Sequence, residues 1–104
     1  MYKVFDAWIV AAAILELEGR SLHYAEIADR VVRSGLSILG YRGSTPAQTM
    51  GVILRSHNIF ERLGEGLYRL RNGISVRKNI RVVMALAKLE QNRRQDRQDA
   101  AGGE

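Results

Sequence analysis

Apolar positions recur with a helical period in the first part of the chain. In "DAWIVAAAILELEG" the apolar face is formed by Trp8, Ala11, Ala12 and Leu15. Asp6 is suited to cap the start of this helix and Gly19 to end it. In "AEIADRVVRSG" the same spacing recurs at Ile27, Ala28, Val31 and Val32. The pattern predicts two helices joined by the short extended piece "RSLHY", and "LSILGYRGS" after them reads as a loop.

A third helix is predicted in "TPAQTMGVILRS". Thr45 at the N-cap, Pro46 at the first helical position and Gln48 three residues after the cap form a capping box. The apolar face comprises Met50, Ile53 and Leu54. This arrangement turns four residues outward at about 100° per residue, namely Gln48, Gly51, Val52 and Arg55.

Two short runs with strand character, "NIFERL" and "LYRLR", are joined by "GEG", which is typical of a hairpin. We expect Phe60, Tyr68 and Leu70 to face the core. Alternation along the second strand then leaves Arg69 and Arg71 on the other side.

The last periodic stretch is "SVRKNIRVVMALAKLEQNRRQ", which predicts a fourth helix. Its apolar stripe contains Val76, Ile80, Val83 and Ala87, with Val82, Leu86 and Leu89 beside them. This stripe is wider than a small core needs, so it could feed either the core or a homodimer. The polar residues from about Gln91 predict one domain over 1–90 and a disordered tail or truncated linker over 91–104.

Three helices followed by a hairpin are the order of a winged helix-turn-helix. We therefore predict a mainly α fold with a small antiparallel β wing, a three-helix core and an extra C-terminal helix.

The charge is concentrated in the middle of the chain. Residues 41–79 carry seven basic and two acidic side chains, whereas residues 1–40 carry four and five, and residues 80–104 carry five and four. Thirteen of the sixteen basic residues are Arg, whose planar fork suits phosphate and base edges. This distribution favours a nucleic-acid partner over a merely soluble basic surface.

Other classes of function find little support in the residues. The chain has no cysteine, which excludes disulfides and is compatible with a reducing cytoplasm. The longest apolar run, 8–15, is shorter than the roughly 20 residues a bilayer needs, so we expect no membrane association. Neither a nucleophile with its base nor a metal cluster is evident, so we predict no enzyme, no cofactor and no metal. His23 and His57 are expected to pack or cap rather than bind a ligand.

Three segments carry a resemblance to a known family. "ILELEGRSLHYAEIADRV", "TPAQTMGVILRS" and "IFERLGEGLYRLR" resemble the HARE-HTH family, whose pattern joins LHY-x-x-I, a helix opened by TP, and a wing of the form F-x-x-x-G-x-G-x-Y-x-L. That family occurs in bacterial restriction enzymes, in the delta subunit of bacterial RNA polymerase and in eukaryotic chromatin regulators. The resemblance implies DNA binding, with Leu22, Ile27, Leu54, Phe60, Tyr68 and Leu70 in the core.

The candidate DNA-binding residues lie on the third helix, on the wing and beside them. They are Arg42, Ser44, Thr45, Gln48, Thr49, Val52, Arg55, Arg62, Arg69, Arg71, Arg77 and Lys78. We expect Gln48 to pair with adenine, unless it only completes the capping box, and Arg55 with guanine. The other arginines suit phosphates. Arg77 and Lys78 are placed in the first turn of the fourth helix, where cations oppose the helix dipole. Gly51 allows either close approach of a ligand or tight helix packing.

Several partners follow from this interpretation. Duplex DNA comes first, then a homodimer through the C-terminal helix and a fused or associated nuclease or polymerase, in the bacterial cytoplasm at the nucleoid. The alternative is a protein-interaction module of the transcription machinery, similar to the delta subunit. Its apolar patch would comprise Leu36, Ile38, Leu39 and Val52.

Overall fold

A computed structural model describes the backbone over residues 4–39 and 46–102, and the side chains over 4–38 and 47–93. The elements follow in the order β1 (Val4–Asp6), α1 (Ala7–Glu18), β2 (Leu22–His23), α2 (Tyr24–Arg33), β3 (Ser37–Leu39), α3 (Pro46–Ser56), β4 (Phe60–Gly64), β5 (Leu67–Leu70) and α4 (Ile80–Gly102), with a 3₁₀ turn (Val76–Lys78) before α4. Over these described ranges, four α-helices and a small three-stranded antiparallel sheet confirm the predicted winged helix-turn-helix.

Helix α1 forms the centre of the core. An unbroken run of buried residues extends from Ile9 to Leu15, because α2, α3 and α4 all pack around this helix. Gly19 ends α1 in the left-handed conformation, with φ +67°, and its N–H donates to the carbonyl of Leu15 at 3.0 Å. The predicted stop is therefore confirmed. Asp6 precedes the helix in an extended conformation without a side-chain capping bond.

Helices α2 and α3 form the helix-turn-helix and pack extensively against each other. The ring of His23 caps α2, since its Nδ1 accepts from the amide of Ala25 at 3.1 Å. Met50 and Leu54 fix α3 to the core as predicted. The prediction that Val32 lies on the apolar face of α2 is wrong, because this side chain is 58% exposed. Each residue of a helix is rotated by about 100° from the one before it, so Val32 points away from α1 while Val31 is buried.

The wing is the antiparallel pair β4 and β5. Its register pairs Phe60 with Leu70, Glu61 with Arg69, and Arg62 with Tyr68. Phe60 and Tyr68 are buried, which confirms the core face predicted for the hairpin. The extended piece before α2 proves to be a third strand, since β2 pairs antiparallel with β5.

The segment predicted as a loop after α2 contains strand β3, which corrects that prediction. Ser37–Leu39 pairs in parallel with Val4–Asp6 at the start of the chain. Phe5 is buried where it lies opposite Ile38. The pairing joins residues more than thirty positions apart, so local periodicity contains no sign of it.

Helix α4 packs on α1 through Val82, Ala85, Leu86 and Leu89. It begins at Ile80 because the Oδ1 of Asn79 accepts from the amides of Arg81 and Val82, at 2.9 and 3.4 Å. Arg77 and Lys78 therefore precede the helix, in the 3₁₀ turn, and the prediction that they lie in its first turn is wrong. Of the predicted stripe, Val76 is buried, whereas Ile80, Val83 and Ala87 are exposed.

The predicted disordered segment after residue 90 is helical as far as Gly102. Gln, Arg and Ala dominate this segment, and they are good helix formers that propagate a helix once it has been nucleated. The domain boundary at residue 90 stays a prediction. Within residues 4–39 and 46–102, no helix combines the length and the apolarity that a membrane span requires.

Candidate nucleic-acid interface

The exposed face of α3 presents three of the four residues predicted to point outward. Gln48, Val52 and Arg55 are exposed, and Val52 keeps 54% of its surface accessible. Gly51 is buried instead, because Tyr24 of α2 lies over it. The burial of Met50 and Leu54 on the opposite side fixes the rotation of α3 and therefore the direction of these side chains.

A groove of about 530 Å³ separates this face of α3 from the wing. It is lined by residues of five elements (β2, α2, α3, β4 and β5) and of the wing turn: His23, Tyr24, Gln48, Gly51, Val52, Arg55, Arg62, Glu65, Gly66 and Tyr68. Arg55 of α3 and Arg62 of β4 are both exposed along it. Among the described residues neither guanidinium makes an ion pair, so both are available to an anionic ligand.

The register of the wing explains why Arg62 belongs to the groove. Directly opposite residues of two antiparallel strands share a face, and Arg62 lies opposite the buried Tyr68. Arg62 therefore points to the same side of the wing as Phe60. Glu61 and Arg69, the next pair along, lie on the other face, where Arg69 Nε donates to Glu61 Oε1 at 2.7 Å.

The wing turn closes one end of the groove against the start of α2. The amide of Tyr24 donates to the carbonyl of Gly66 at 2.9 Å, and the rings of His23 and Tyr24 stack with their centroids 4.4 Å apart. A Cβ on Gly66, whose φ is +79°, would lie 2.7 Å from His23 Nε2. The turn can come this close only because residue 66 is glycine.

The comparison with known families agrees with this geometry. Residues 8–72, more than half of the chain, match HARE-HTH, the helix-turn-helix domain that takes its name from ASXL and restriction endonuclease proteins among others. The chain belongs to the HARE-HTH family. HARE-HTH is a family of DNA-binding domains. No curated protein and no solved structure matches the chain.

The matched range of the HARE-HTH domain contains every residue that lines the groove. Six of those residues were not among the sequence candidates. The sequence analysis assigned Tyr68 to the core and left the role of Gly51 open, and it did not place His23, Tyr24, Glu65 and Gly66 at a site. Two signals point to them in retrospect. The "LHY" segment precedes a helix start, and the "GEG" turn places glycine where a hairpin and that helix start have to meet.

Three arginines that the sequence predicted to contact phosphates form hydrogen bonds within the domain. Arg69 pairs with Glu61 as described, Arg71 Nε donates to the carbonyl of Asn58 at 2.8 Å, and Arg77 Nε donates to Glu16 Oε2 of α1 at 2.7 Å. The sequence grouped Arg62 with Arg69 on the wing, but the two lie on opposite faces. Contact of Arg69, Arg71, Arg77 and the exposed Lys78 with DNA stays a prediction.

The remaining candidate residues lie outside the described residues, outside the groove lining or in the apolar patch considered for a protein partner. Arg42, Ser44 and Thr45 lie outside the described residues, and so does the proposed capping bond between Thr45 and Gln48. Thr49 is half-buried and is not part of the groove lining. Of the apolar patch considered for a protein partner, Leu36 and Ile38 are half-buried against the core, whereas Val52 belongs to the groove.

His57 fills a packing role at the end of α3. Its ring stacks on Trp8, with centroids 4.9 Å apart, and its Nδ1–H donates to the carbonyl of Ile53 at 2.9 Å. Together with the capping role of His23, this confirms that both histidines are engaged in the fold. Within the described part of the chain, no group of three or more His, Asp or Glu side chains could hold a metal ion.

A second depression, of about 410 Å³, lies between α1, α2 and α4. Its charges largely satisfy one another: Arg30 pairs with Glu18 and Glu26, and Arg33 pairs with Asp29 at 3.1 Å. The groove beside α3 differs in this respect, because its two arginines have no such carboxylate partner among the described residues. Of the two depressions, the groove beside α3 is therefore the better candidate for binding an anionic ligand.

Proposed function

We propose that this HARE-HTH domain binds duplex DNA through the groove between α3 and the wing, with α3 in the major groove and the wing along the phosphate backbone. The observation that carries the proposal is the convergence of Arg55 and Arg62, from different elements, on one groove. Gln48, from the same face of α3, supplies an amide that can pair with adenine.

The dimensions of α3 support this arrangement. Eleven helical residues extend about 16 Å, and the B-DNA major groove, about 12 Å wide, admits an α-helix. The wing lies beside α3 with Arg62 turned toward it, so a duplex that receives α3 brings its backbone to Arg62. Phosphate contacts of this kind set the register of a protein on DNA, while α3 supplies the base contacts.

The biological role we propose is the targeting of a restriction-type or transcription-associated protein, with a fused or associated nuclease or polymerase, at the bacterial nucleoid. The family description, which names restriction endonucleases, supports the first of these contexts. In either context the domain itself acts by binding, and its partner supplies the chemistry.

We also propose that the domain forms a homodimer through α4. Ile80, Val83 and Ala87 lie on the side of α4 opposite the face packed on α1, and Ile80 is 74% exposed. Their spacing of three and four residues fits the seam of a paired helix. Two copies joined in this way would present two α3 helices to spaced half-sites.

The alternative function is a protein-interaction module of the transcription machinery. The observation that favours it is Val52, a member of the apolar patch predicted for a protein partner, which keeps 54% of its surface accessible. The two functions differ in their response to salt, because DNA binding releases counterions and apolar docking does not.

The test is a titration of random-sequence duplex DNA at several salt concentrations. We expect a straight line of log K against log salt, with Arg62→Ala reducing its slope by about one. Arg81→Ala is the matched control, because Arg81 is exposed on α4 outside the groove and its loss changes the net charge equally.

Two results would contradict the proposal. No affinity for any duplex at low salt, or an affinity independent of salt, would favour the protein partner. Equal effects of Arg62→Ala and Arg81→Ala would mean that DNA responds to the overall charge rather than to the groove.

A further inference from the structure

We infer that Val52 determines base specificity by contacting the C5 methyl group of a thymine that lies between the bases met by Gln48 and Arg55. This inference rests on the proposed DNA-binding function and adds to it the kind of site that the domain prefers. The arginines of the groove suit phosphate and guanine, but neither arginine explains why an apolar side chain lines the groove beside them.

Packing of the core does not require a valine at position 52. Val52 is 54% exposed and is not part of the hydrophobic core. A β-branched residue also favours a helix less than alanine does. The carbonyl of Val52 accepts from Ser56 Oγ at 2.7 Å, but the backbone of any residue would provide that acceptor.

Exposure alone would not distinguish Val52, because single exposed apolar residues are common on protein surfaces. Val32 on α2 is 58% exposed and does not line the groove. The argument depends on location: Val52 stands on the exposed face of α3, between an amide at position 48 and a guanidinium at position 55, and all three line the groove.

The spacing of these three residues is wide enough for each of them to meet a different base pair. At 1.5 Å per residue, Val52 lies about 6 Å along the helix from Gln48 and about 4.5 Å from Arg55. Successive bases of one strand are about 3.4 Å apart. Val52 therefore faces a base pair one or two steps from each of the bases that its neighbours meet.

The major-groove edges of the bases differ in what they offer an apolar side chain. Thymine presents a methyl group, and apolar contact with that methyl is the pairing that a residue such as valine can make. Cytosine presents an amino donor in this groove, and covering it with valine would remove its water without providing an acceptor. Val52 therefore favours thymine and disfavours cytosine.

The experiment begins with selection of preferred duplexes from a random-sequence library by the full chain. Each thymine of a selected duplex is then replaced by deoxyuridine, which lacks only the methyl group. We expect one position at which the replacement lowers affinity about fourfold, the ratio that corresponds to burial of one methyl group. That position should lie one or two base pairs from the base whose recognition is lost in Arg55→Ala.

The variant Val52→Ala should bind the thymine and deoxyuridine duplexes equally at that position. Val52→Thr, which keeps one methyl group and the branched shape, should retain part of the difference. Val32→Ala is the matched control, and it should discriminate as the wild-type chain does. Because both valines are exposed, the alanine variants should unfold at the same urea concentration as the wild type, or at a higher one.

The outcomes separate the two levels of the argument. If the chain selects and binds no duplex, the proposed function fails. If it binds selected duplexes but no thymine position responds to loss of the methyl group, or if the response persists in Val52→Ala, DNA binding stands and the inference about Val52 is wrong. Selected duplexes without thymine would also overturn it.

Discussion

The backbone amide of Tyr24 donates to the carbonyl of Gly66 at 2.9 Å, and this bond joins the first residue of α2 to the turn of the wing. It fixes the position of the wing relative to the helix-turn-helix. The width of the groove between α3 and β4 depends on that position. This backbone bond therefore controls the shape of the site.

Gly66→Ala should destabilise the domain more than Gly64→Ala. Both glycines have positive φ, +79° and +98°, so each alanine should cost about 1 to 2 kcal/mol of backbone strain. Only at residue 66 does the new Cβ collide with other atoms, 2.7 Å from His23 Nε2 and 2.9 Å from the Tyr24 ring. We expect an additional loss of about 1 to 3 kcal/mol, measured as the difference in free energy of unfolding in urea. Equal losses in the two variants would show that the close approach is unimportant.

Gly51→Ala should leave the fold intact and stabilise it. A Cβ at residue 51 would lie 3.7 Å from Tyr24 Cδ2, an ordinary contact distance, and alanine favours a helix interior by about 1 kcal/mol over glycine. Urea unfolding measures the gain. Since Tyr24 covers this residue, affinity for duplex DNA should change little. A large loss of affinity without a loss of stability would instead indicate that DNA approaches the backbone at Gly51.

Arg55→Ala and Arg62→Ala should differ in their effect on sequence discrimination. Arg55 lies on the exposed face of α3, so its loss should cost about 1 to 3 kcal/mol on a preferred duplex and reduce the difference between preferred and random duplexes. Arg62 on the wing should contact phosphate, so its loss should weaken all duplexes about equally. Competition titrations with preferred and random duplexes measure both effects. If the two variants lose affinity equally on every duplex, α3 does not read bases.

Val83→Asp should convert a dimer into a folded monomer. Val83 is 41% exposed on the outer side of α4, so an aspartate there should leave the core intact but place two charges in the seam of a dimer. Sedimentation at micromolar concentration measures the mass. The control is Val32→Asp, which introduces the same charge at an exposed valine of α2. A wild-type chain that sediments as a monomer would reject the dimer.

Features set by neighbouring residues could be predicted from the sequence. Gly19 ends α1 because glycine accepts the left-handed conformation, and the buried face of α3 follows from the spacing of Met50 and Leu54. The hairpin and its core face follow from glycine placement and strand alternation. These signals act over a few neighbouring residues, so they do not depend on contacts with distant parts of the chain.

Other features were decided only when distant segments met. The pairing of β1 with β3, and of Arg69 with Glu61, depends on contacts and register that the periodicity of one element does not record. Helix α4 is apolar on nearly all sides near its start, so only its packing on α1 determined that Val82 and Leu86 are buried while Ile80 and Val83 stay exposed. The sequence alone thus specified the cores of the four helices, the hairpin and the basic character of the domain. Tertiary packing selected which arginines face the groove, because that choice depends on the register of the wing and on the carboxylates within reach of each guanidinium.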